Sequence, residues 1–220
     1  MNKTISRLHY ITQDLPNISH LKLAENACLA GIEWVQLRVK DKPYNEWLKV
    51  AAQVQSVCRE HNVKLIINDN LDIAKEIKAD GVHLGKTDVS PFKARKLLGT
   101  RAIIGGTANT FEDVEYLVNC EVDYIGLGPY NYTTTKENLS PILGLHGYKR
   151  IMERCATNKI KIPIIAIGGI TTGDVMPIME TKIYGIAVSS AINKSTDAAE
   201  TVRQMQSRIK FSIATRSSKK

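Results

Sequence analysis

The sequence lacks the marks of several protein classes. No uninterrupted apolar run reaches the length of about 18 residues that a membrane-spanning helix needs. The stretch from Met1 to Arg7 has no long apolar core of a secretory signal. Aromatic residues make up only 6% of the chain. The sequence therefore predicts neither a membrane protein nor a secreted one.

The four cysteines, at positions 28, 58, 120 and 155, form no C-x-x-C pair and have no histidine at zinc-finger spacing. Each falls in a stretch with helical periodicity. We expect reduced thiols that act as small core residues, and a cytoplasmic protein.

What is present is an ordinary globular composition, 43% hydrophobic and 24% charged, with a net charge of +8. Five of the 30 basic residues lie between Ser207 and Lys220, where there is no acid, which leaves 25 against 22 acids, or +3, for the rest. A nucleic-acid binder would cluster Lys and Arg, often beside exposed aromatics. We see no such cluster outside this tail, so we expect no nucleic acid and no membrane as partner.

Short apolar runs alternate with amphipathic helical stretches about eight times. The runs are 8–11, 34–37, 64–67, 81–84, 102–105, 123–126, 163–167 and 185–188. Because parallel strands need a crossover, this alternation indicates a parallel sheet, and eight units in 220 residues fit a single (β/α)8 TIM barrel. An open doubly wound sheet would carry a G-x-G-x-x-G turn after the first run, but Thr12 to Pro16 contains no glycine.

The chain shows no linker that would divide it. We expect one barrel domain over residues 1–206, then the end of the last helix and a basic, disordered tail over 207–220. The stretch from Gly128 to Gly147 is too long for a plain connection, so we interpret it as a binding loop or lid.

In such a barrel the chemistry lies where the strands end. After the second run, Gln36, Arg38 and Lys40 share one face of the strand. An interior charge is costly unless it is used, so these residues predict an anion site. The alternative is a charged strand end that pairs with Asp41 or Glu33.

Carboxylates follow the third and fourth runs. Asp69 and Asp88 would lie on adjacent strands, about 4.8 Å apart, and could hold one hard cation such as Mg²⁺. The alternatives are a helix N-cap for Asp69 and a turn residue before Pro91 for Asp88. His83 should face the barrel interior, either as a core histidine or as a ligand contact.

Hydroxyl groups follow the fifth and sixth runs. Thr107 comes after the glycines of the fifth run, and Thr133, Thr135 and Lys136 lie in the loop after the sixth. Hydroxyls beside a lysine suit a phosphate and polar ring atoms. A solvated threonine-rich loop is the alternative.

Glycines and serines follow the last two runs. Gly168 and Gly169 follow the seventh, and Ser189 and Ser190 follow the eighth. In TIM barrels these two loops commonly bind a phosphate monoester through backbone N–H groups and a short helix N-terminus. Two tight turns are the alternative. The sequence thus predicts a second anion site, neutral in charge, at the same barrel mouth.

Several motifs, in order along residues 7 to 205, resemble the thiamine-phosphate synthase family. They are Gln36–Lys40, Ile67–Asp69, Asp80–Gly85, Asp123–Pro129, Thr133–Lys136, Ala166–Ile170 and Gly185–Val188. The resemblance implies a transferase that joins a hydroxymethylpyrimidine diphosphate to a thiazole phosphate, often carboxylated. It also implies Mg²⁺ as cofactor, a dissociative mechanism, and thiamine phosphate, pyrophosphate and, from the carboxylated thiazole, CO₂ as products.

The resemblance also assigns residue roles. The pyrimidine diphosphate would be bound by Gln36, Arg38, Lys40, Asn68, Thr107 and Lys136, of which Arg38, Lys40 and Lys136 would stabilise the leaving pyrophosphate. The thiazole phosphate would be bound by Thr133, Thr135, Gly169, Ser189 and Ser190. Mg²⁺ would be held by Asp69 and Asp88.

The sequence departs from the family pattern at a few positions. Val39 stands where Glu is frequent, and Lys86 replaces a frequent Gln, which adds a cation near Asp88. Thr107 replaces Ser, and Ser189 replaces Ile, so a backbone role is the safer expectation for Ser189. The alternative function is the related thiazole tautomerase, which makes no C–N bond and would not need the diphosphate and metal residues. The oligomeric state, including a homo-oligomer, stays open.

Overall fold

The computed structural model describes residues 3–133 and 140–218. Eight parallel strands form a closed barrel in which each strand pairs with the next in the chain and β8 pairs with β1. The strands are β1 Leu8–Ile11, β2 Trp34–Leu37, β3 Lys64–Asn68, β4 Gly81–Leu84, β5 Ile103–Ala108, β6 Tyr124–Leu127, β7 Ile164–Ile167 and β8 Gly185–Val188. The predicted (β/α)8 TIM barrel is confirmed.

Helices follow the strands around the barrel. They are α1 His20–Leu29, α2 Tyr44–Glu60, α3 Leu71–Glu76, α4 Pro91–Leu98, α5 Phe111–Asn119, α6 Gly144–Thr157, α7 Val175–Glu180, α8 Ser190–Asn193 and α9 Ala198–Ser217, with a short 3-10 helix Thr172–Asp174 before α7. Polar side chains define several starts: Ser19, Ser90 and Thr110 each accept a hydrogen bond from the backbone of the third helical residue. In the described residues, no helix combines the length and apolarity that a membrane crossing requires.

Two hydrophobic cores hold the barrel. The larger one lies between strands and helices, where α1 buries Leu23, Ala24 and Ala27. The smaller one fills the barrel interior with the side chains of Ile5, Ile11, Trp34, Ile66, Ile103, Tyr124, Ile165 and Ala187. The buried His9 also lies in this interior, where its ring stacks on Trp34.

The last helix ends within the stretch 207–220, in which we expected both the end of this helix and a tail. Residues 198–217 form α9, and Met205 and Ile209 of this helix are buried against the larger core. Residues 219–220 lie outside the described part.

The cysteines match their expectation. All four thiols are free, and Cys28, Cys58 and Cys155 are buried while Cys120 is partly buried. Burial raises the pKa of the Cys155 thiol. This is the environment of a core residue rather than of a reactive thiolate.

Candidate active site

The ends of β2 and β3 are joined by a hydrogen bond inside the barrel mouth. Nε2 of the buried Gln36 donates to Oδ1 of Asn68 at 2.6 Å. Further along the same face, Arg38 is half-buried and Lys40 is exposed. Among residues 3–133 and 140–218, neither cation forms an ion pair with Asp41 or Glu33. Both cations thus remain available to an anion at the mouth.

Asp69 occupies a special backbone position directly after β3. Its φ is 64°, and its N–H donates to the carbonyl of His83 on β4 at 2.8 Å. The alternative role as helix N-cap falls to Asn70, whose side chain accepts from the N–H of Ile73 at 2.9 Å. Asp tolerates the left-handed region better than most residues do. The carboxylate of Asp69 is therefore left at the mouth, unused by α3.

Asp88 closes the turn after β4 and meets Asp69. Its Oδ2 accepts the N–H of Gly85 at 2.6 Å. Its carboxyl group also lies close enough to that of Asp69 to raise the pKa of Asp69. The expected turn role of Asp88 is thus observed together with the convergence of the two carboxyl groups.

The carboxyl pair has an unusual protonation equilibrium. Loss of surrounding water, then the hydrogen bond and the like charge of Asp88, raise the pKa of Asp69 to about 7. Arg38 and Lys40 act in the opposite direction through their positive charge. Asp69 as a residue is still exposed, so a cation from solution can reach the carboxyl group.

Lys86 does not act on the carboxyl pair in the way its position suggested. Its Nζ lies 2.6 Å from Oδ2 of Asp113, at the start of α5. The same oxygen accepts the backbone N–H groups of Asn109 and Thr110 at 2.8 and 2.9 Å. The extra cation is therefore paired at the rim rather than directed at Asp88.

His83 faces the barrel interior, as expected, and supports Thr107. Its Nε2 lies 3.0 Å from Oγ1 of Thr107, and its Nδ1 lies 3.0 Å from the hydroxyl of Tyr124. Burial raises the pKa of Tyr124 far above its usual range, so this hydroxyl keeps its proton. His83 is thus a buried histidine that holds a residue of the mouth in place.

A cavity of about 520 Å³ opens beside the loops after β7 and β8. Three predicted thiazole-phosphate residues line it: Thr133, Gly169 and Ser190. Ser189 is not among the residues that line the cavity. Its hydroxyl donates to Oε1 of Gln13 at 2.7 Å. Because this hydroxyl is already engaged, the contacts of Ser189 do not support direct binding of a ligand by its side chain. The departure from the family pattern at this position suggested a backbone role for the same residue.

Glycine is required where the loops after β6 and β7 touch. Gly169 has a φ of 65°, and a Cβ atom there would lie 2.5 Å from the carbonyl oxygen of Tyr132. The N–H of Asn131 donates to the carbonyl of Gly168 at 2.9 Å. The two loops therefore form one wall, which places Thr133 and Gly169 on the same cavity.

Two of the predicted residues, Thr135 and Lys136, lie outside the described residues. The cavity also includes residues that the sequence reasoning missed, among them Gln13 and Lys194. Gln13 follows the first strand, so the rule that chemistry lies at strand ends could have found it. Lys194 follows a helix, and no strand-end rule reaches it.

Comparison with known proteins points to one family. Residues 8–192 match the family described as thiamine monophosphate synthase. The chain is 45% identical over 205 residues to a thiamine-phosphate synthase of Phocaeicola vulgatus, an alignment covering 93% of this chain and 98% of the relative. It is 43% identical over 204 residues to a thiamine-phosphate synthase of Flavobacterium johnsoniae, covering 93% and 96% of the two chains. A solved thiamine phosphate pyrophosphorylase from Pyrococcus furiosus superposes with a TM-score of 0.81 at 26% identity, covering 94% and 96%.

Proposed function

This chain belongs to the thiamine monophosphate synthase family, and on that basis we propose that it is a transferase that makes thiamine phosphate. It would join an aminopyrimidine methyl diphosphate to a thiazole phosphate, with pyrophosphate as the leaving group. The observation that carries this proposal is that two different sets of polar groups lie at one barrel mouth. One combines cations with a carboxyl pair, and the other is a cavity of hydroxyl and backbone groups. Free thiols fit a cytoplasmic enzyme.

The residues at the ends of β2, β3 and β5 would bind the pyrimidine diphosphate. Gln36, Asn68 and Thr107 offer amide and hydroxyl groups to the ring, and Arg38 and Lys40 offer charge to the diphosphate. Lys136, outside the described residues, would add a third cation through its place in the family pattern.

The carboxyl pair fits a magnesium ion. The negative charge of Asp88 raises the pKa of Asp69, and a divalent cation held by both carboxylates would offset this repulsion. Two carboxylates plus phosphate oxygens are a ligand set that Mg²⁺ accepts. Asp69 and Asp88 would hold the ion, which when bound would supply positive charge beside the diphosphate.

The reaction requires little acid–base catalysis by the protein. The bond between the pyrimidine methylene carbon and the diphosphate oxygen breaks, and its electron pair leaves with pyrophosphate. The electron-rich aminopyrimidine carries the positive charge until the thiazole nitrogen donates its lone pair and forms the C–N bond. Arg38, Lys40 and Lys136 stabilise the negative charge that develops on the leaving group. A carboxylated thiazole would lose CO₂ as well.

The other substrate would lie in the 520 Å³ cavity. Thr133, Gly169 and Ser190 line it, and Thr135 would join them from the loop outside the described residues. Ser189 would contribute through its backbone, because its hydroxyl is engaged by Gln13. The two substrates would then face each other across the mouth, which positions the reacting atoms.

The test is the coupled reaction. Purified protein with Mg²⁺ and both substrates should release thiamine phosphate and pyrophosphate in equal amounts, and Lys136→Ala should abolish this release. Lys149→Ala, on an exposed position of α6, is the matched control and should keep full activity. Tautomerisation of the thiazole without pyrophosphate release would instead identify the protein as a thiazole tautomerase.

A further inference from the structure

The lining of the 520 Å³ cavity is almost uncharged. Apart from Lys194, the described residues around it offer hydroxyl, amide and apolar groups, among them Gln13, Thr133, Gly169 and Ser190. Lys194 is the one charged side chain among these described lining residues. A phosphate monoester carries nearly two negative charges, and hydroxyl and amide donors bring only partial charges to it. Among the lining residues that the structure describes, Lys194 is therefore the single source of full positive charge.

The backbone of Lys194 is held firmly although its side chain is exposed. It directly follows α8, and its N–H donates to the carbonyl of Ser190 at 2.9 Å. The preceding residue, Asn193, accepts the hydroxyl of the buried Tyr10 at 2.7 Å and donates to Oγ of Ser189 at 3.4 Å. The base of the Lys194 side chain is thus anchored to the barrel, while its flexible stem lets the ammonium group adjust to a ligand.

The nearby acids are engaged elsewhere. Asp197 caps α9 by accepting the N–H of Glu200 at 2.8 Å. Asp174 accepts both the N–H and the hydroxyl of Thr171, at 2.8 and 2.6 Å. Among residues 3–133 and 140–218, Lys194 has no ion pair that a ligand would have to break.

We propose that Lys194 binds the phosphate group of the thiazole substrate and selects the phosphorylated thiazole over the corresponding alcohol. This inference rests on the proposed function, because it takes the 520 Å³ cavity to be the thiazole phosphate site. Lys194 acts on binding rather than on the departure of pyrophosphate, since it belongs to the cavity and not to the region of Arg38 and Lys40. It is a specificity residue and takes no part in bond making.

The test compares Lys194→Gln with Lys210→Gln, which removes the same charge from an exposed position of α9 outside the cavity. Lys194→Gln should raise the KM for thiazole phosphate about tenfold, which is the scale of one hydrogen bond between charged groups, and leave kcat within about twofold. The KM for the pyrimidine diphosphate should not change. Lys194→Arg should restore most of the affinity, and Lys210→Gln should behave as the wild type.

Two further readouts separate this role from a merely structural one. The affinity for the unphosphorylated thiazole alcohol should be equal in the wild type and in Lys194→Gln. The dependence of thiazole phosphate affinity on salt concentration should be weaker in Lys194→Gln, because one charge contact is missing.

Direct titration of thiazole phosphate by calorimetry, without the second substrate, decides the inference independently of turnover. A tenfold weaker affinity of Lys194→Gln supports the assignment. Equal affinity of the two proteins would overturn it, even if the wild type makes thiamine phosphate normally. Normal binding of thiazole phosphate without any coupled reaction would instead count against the proposed function alone.

Discussion

The imidazole Nε2 of His83 lies 3.0 Å from the hydroxyl oxygen of Thr107, on the neighbouring strand of the barrel. The other ring nitrogen reaches the hydroxyl of Tyr124, which is fully buried in the inner core. A hydroxyl group at the mouth is thus connected through one side chain to the packed interior. Its position is set before any substrate arrives, which favours precise binding.

Removing this hydroxyl should weaken binding of the pyrimidine diphosphate. Thr107→Val keeps the shape of the side chain but loses the hydrogen bond, so the KM for the pyrimidine diphosphate should rise about tenfold. Thr107→Ser keeps the hydroxyl and should stay within about threefold of the wild type. Steady-state kinetics with each substrate varied in turn measures both. A raised KM in Thr107→Ser together with a normal KM in Thr107→Val would show that the methyl group, and not the hydroxyl, matters.

Changing Asp69 should remove the metal dependence rather than the fold. Asp69→Asn retains a side chain that tolerates the φ of 64° and relieves the repulsion by Asp88, so the melting temperature should not fall. The rate at saturating Mg²⁺ should fall by about a hundredfold or more, the scale of losing one preorganised charge contact. Enzyme assays across a Mg²⁺ titration give both values.

The matched control for Asp69 is Lys86→Gln. Lys86 is paired with Asp113 at 2.6 Å, so its loss should leave the Mg²⁺ titration unchanged. Full activity of Asp69→Asn, or turnover of the wild type in excess EDTA, would refute the metal assignment.

Substitution of Gly169 should damage the wall of the cavity. In Gly169→Ala, the new Cβ would lie 2.5 Å from the carbonyl oxygen of Tyr132 and the backbone would keep a φ of 65°. We expect a loss of about 1–3 kcal/mol in the free energy of unfolding and a weaker affinity for thiazole phosphate. Gly173→Ala is the control, because its nearest neighbour is a side-chain oxygen at 3.7 Å. Equal urea midpoints for the two variants would contradict this reasoning.

Acid should destabilise the protein partly through His9. Burial, opposed by the hydrogen bond with Ser6 and reinforced by His83, lowers the pKa of His9 to about 3, and its ring stacks on Trp34 with centroids 4.3 Å apart. The pKa of His9 in the unfolded chain is about 6.5. Between about pH 6.5 and pH 3, the unfolded chain therefore binds a proton at His9 that the folded chain does not bind. The free energy of unfolding should therefore fall as the pH drops from about 6.5 towards 3, by up to about 1.4 kcal/mol per pH unit.

The His9 contribution can be isolated by substitution. His9→Phe keeps an aromatic ring against Trp34 and removes the titration, so its urea midpoint should change less between pH 7 and pH 5 than that of the wild type. The exposed His61, replaced by Gln, serves as the control and should follow the wild type. Parallel curves for wild type and His9→Phe would show that another group causes the acid sensitivity.

Much of the candidate site was predictable because a barrel obeys simple periodicities. Side chains alternate across a strand, so Gln36, Arg38 and Lys40 could be placed on one face from their spacing alone. Parallel strands bring their carboxyl ends to one mouth, so Asp69 and Asp88 could be expected to converge. The inward position of His83 followed from the same parity and is confirmed by its contacts.

Other features depended on which of two neighbouring residues forms a given hydrogen bond or ion pair. Asp69 and Asn70 are both competent helix caps, and the backbone path after β3 gave the cap to Asn70. Lys86 could have approached Asp88, but its Nζ lies 2.6 Å from Oδ2 of Asp113, at the start of α5. The spacing of residues along the chain does not predict which partner each of these side chains takes.

By itself, the sequence determined the eight-unit barrel, the mouth at which its polar residues meet and the family to which the chain belongs. Those properties follow from local patterns of apolar and polar residues, which can be read without knowing which distant residues are in contact. Only the tertiary structure decided that α9 continues to Ser217, because Met205 and Ile209 pack against the larger core. The tertiary structure also brings Gln13 and Lys194, which are 181 positions apart in the sequence, to one cavity.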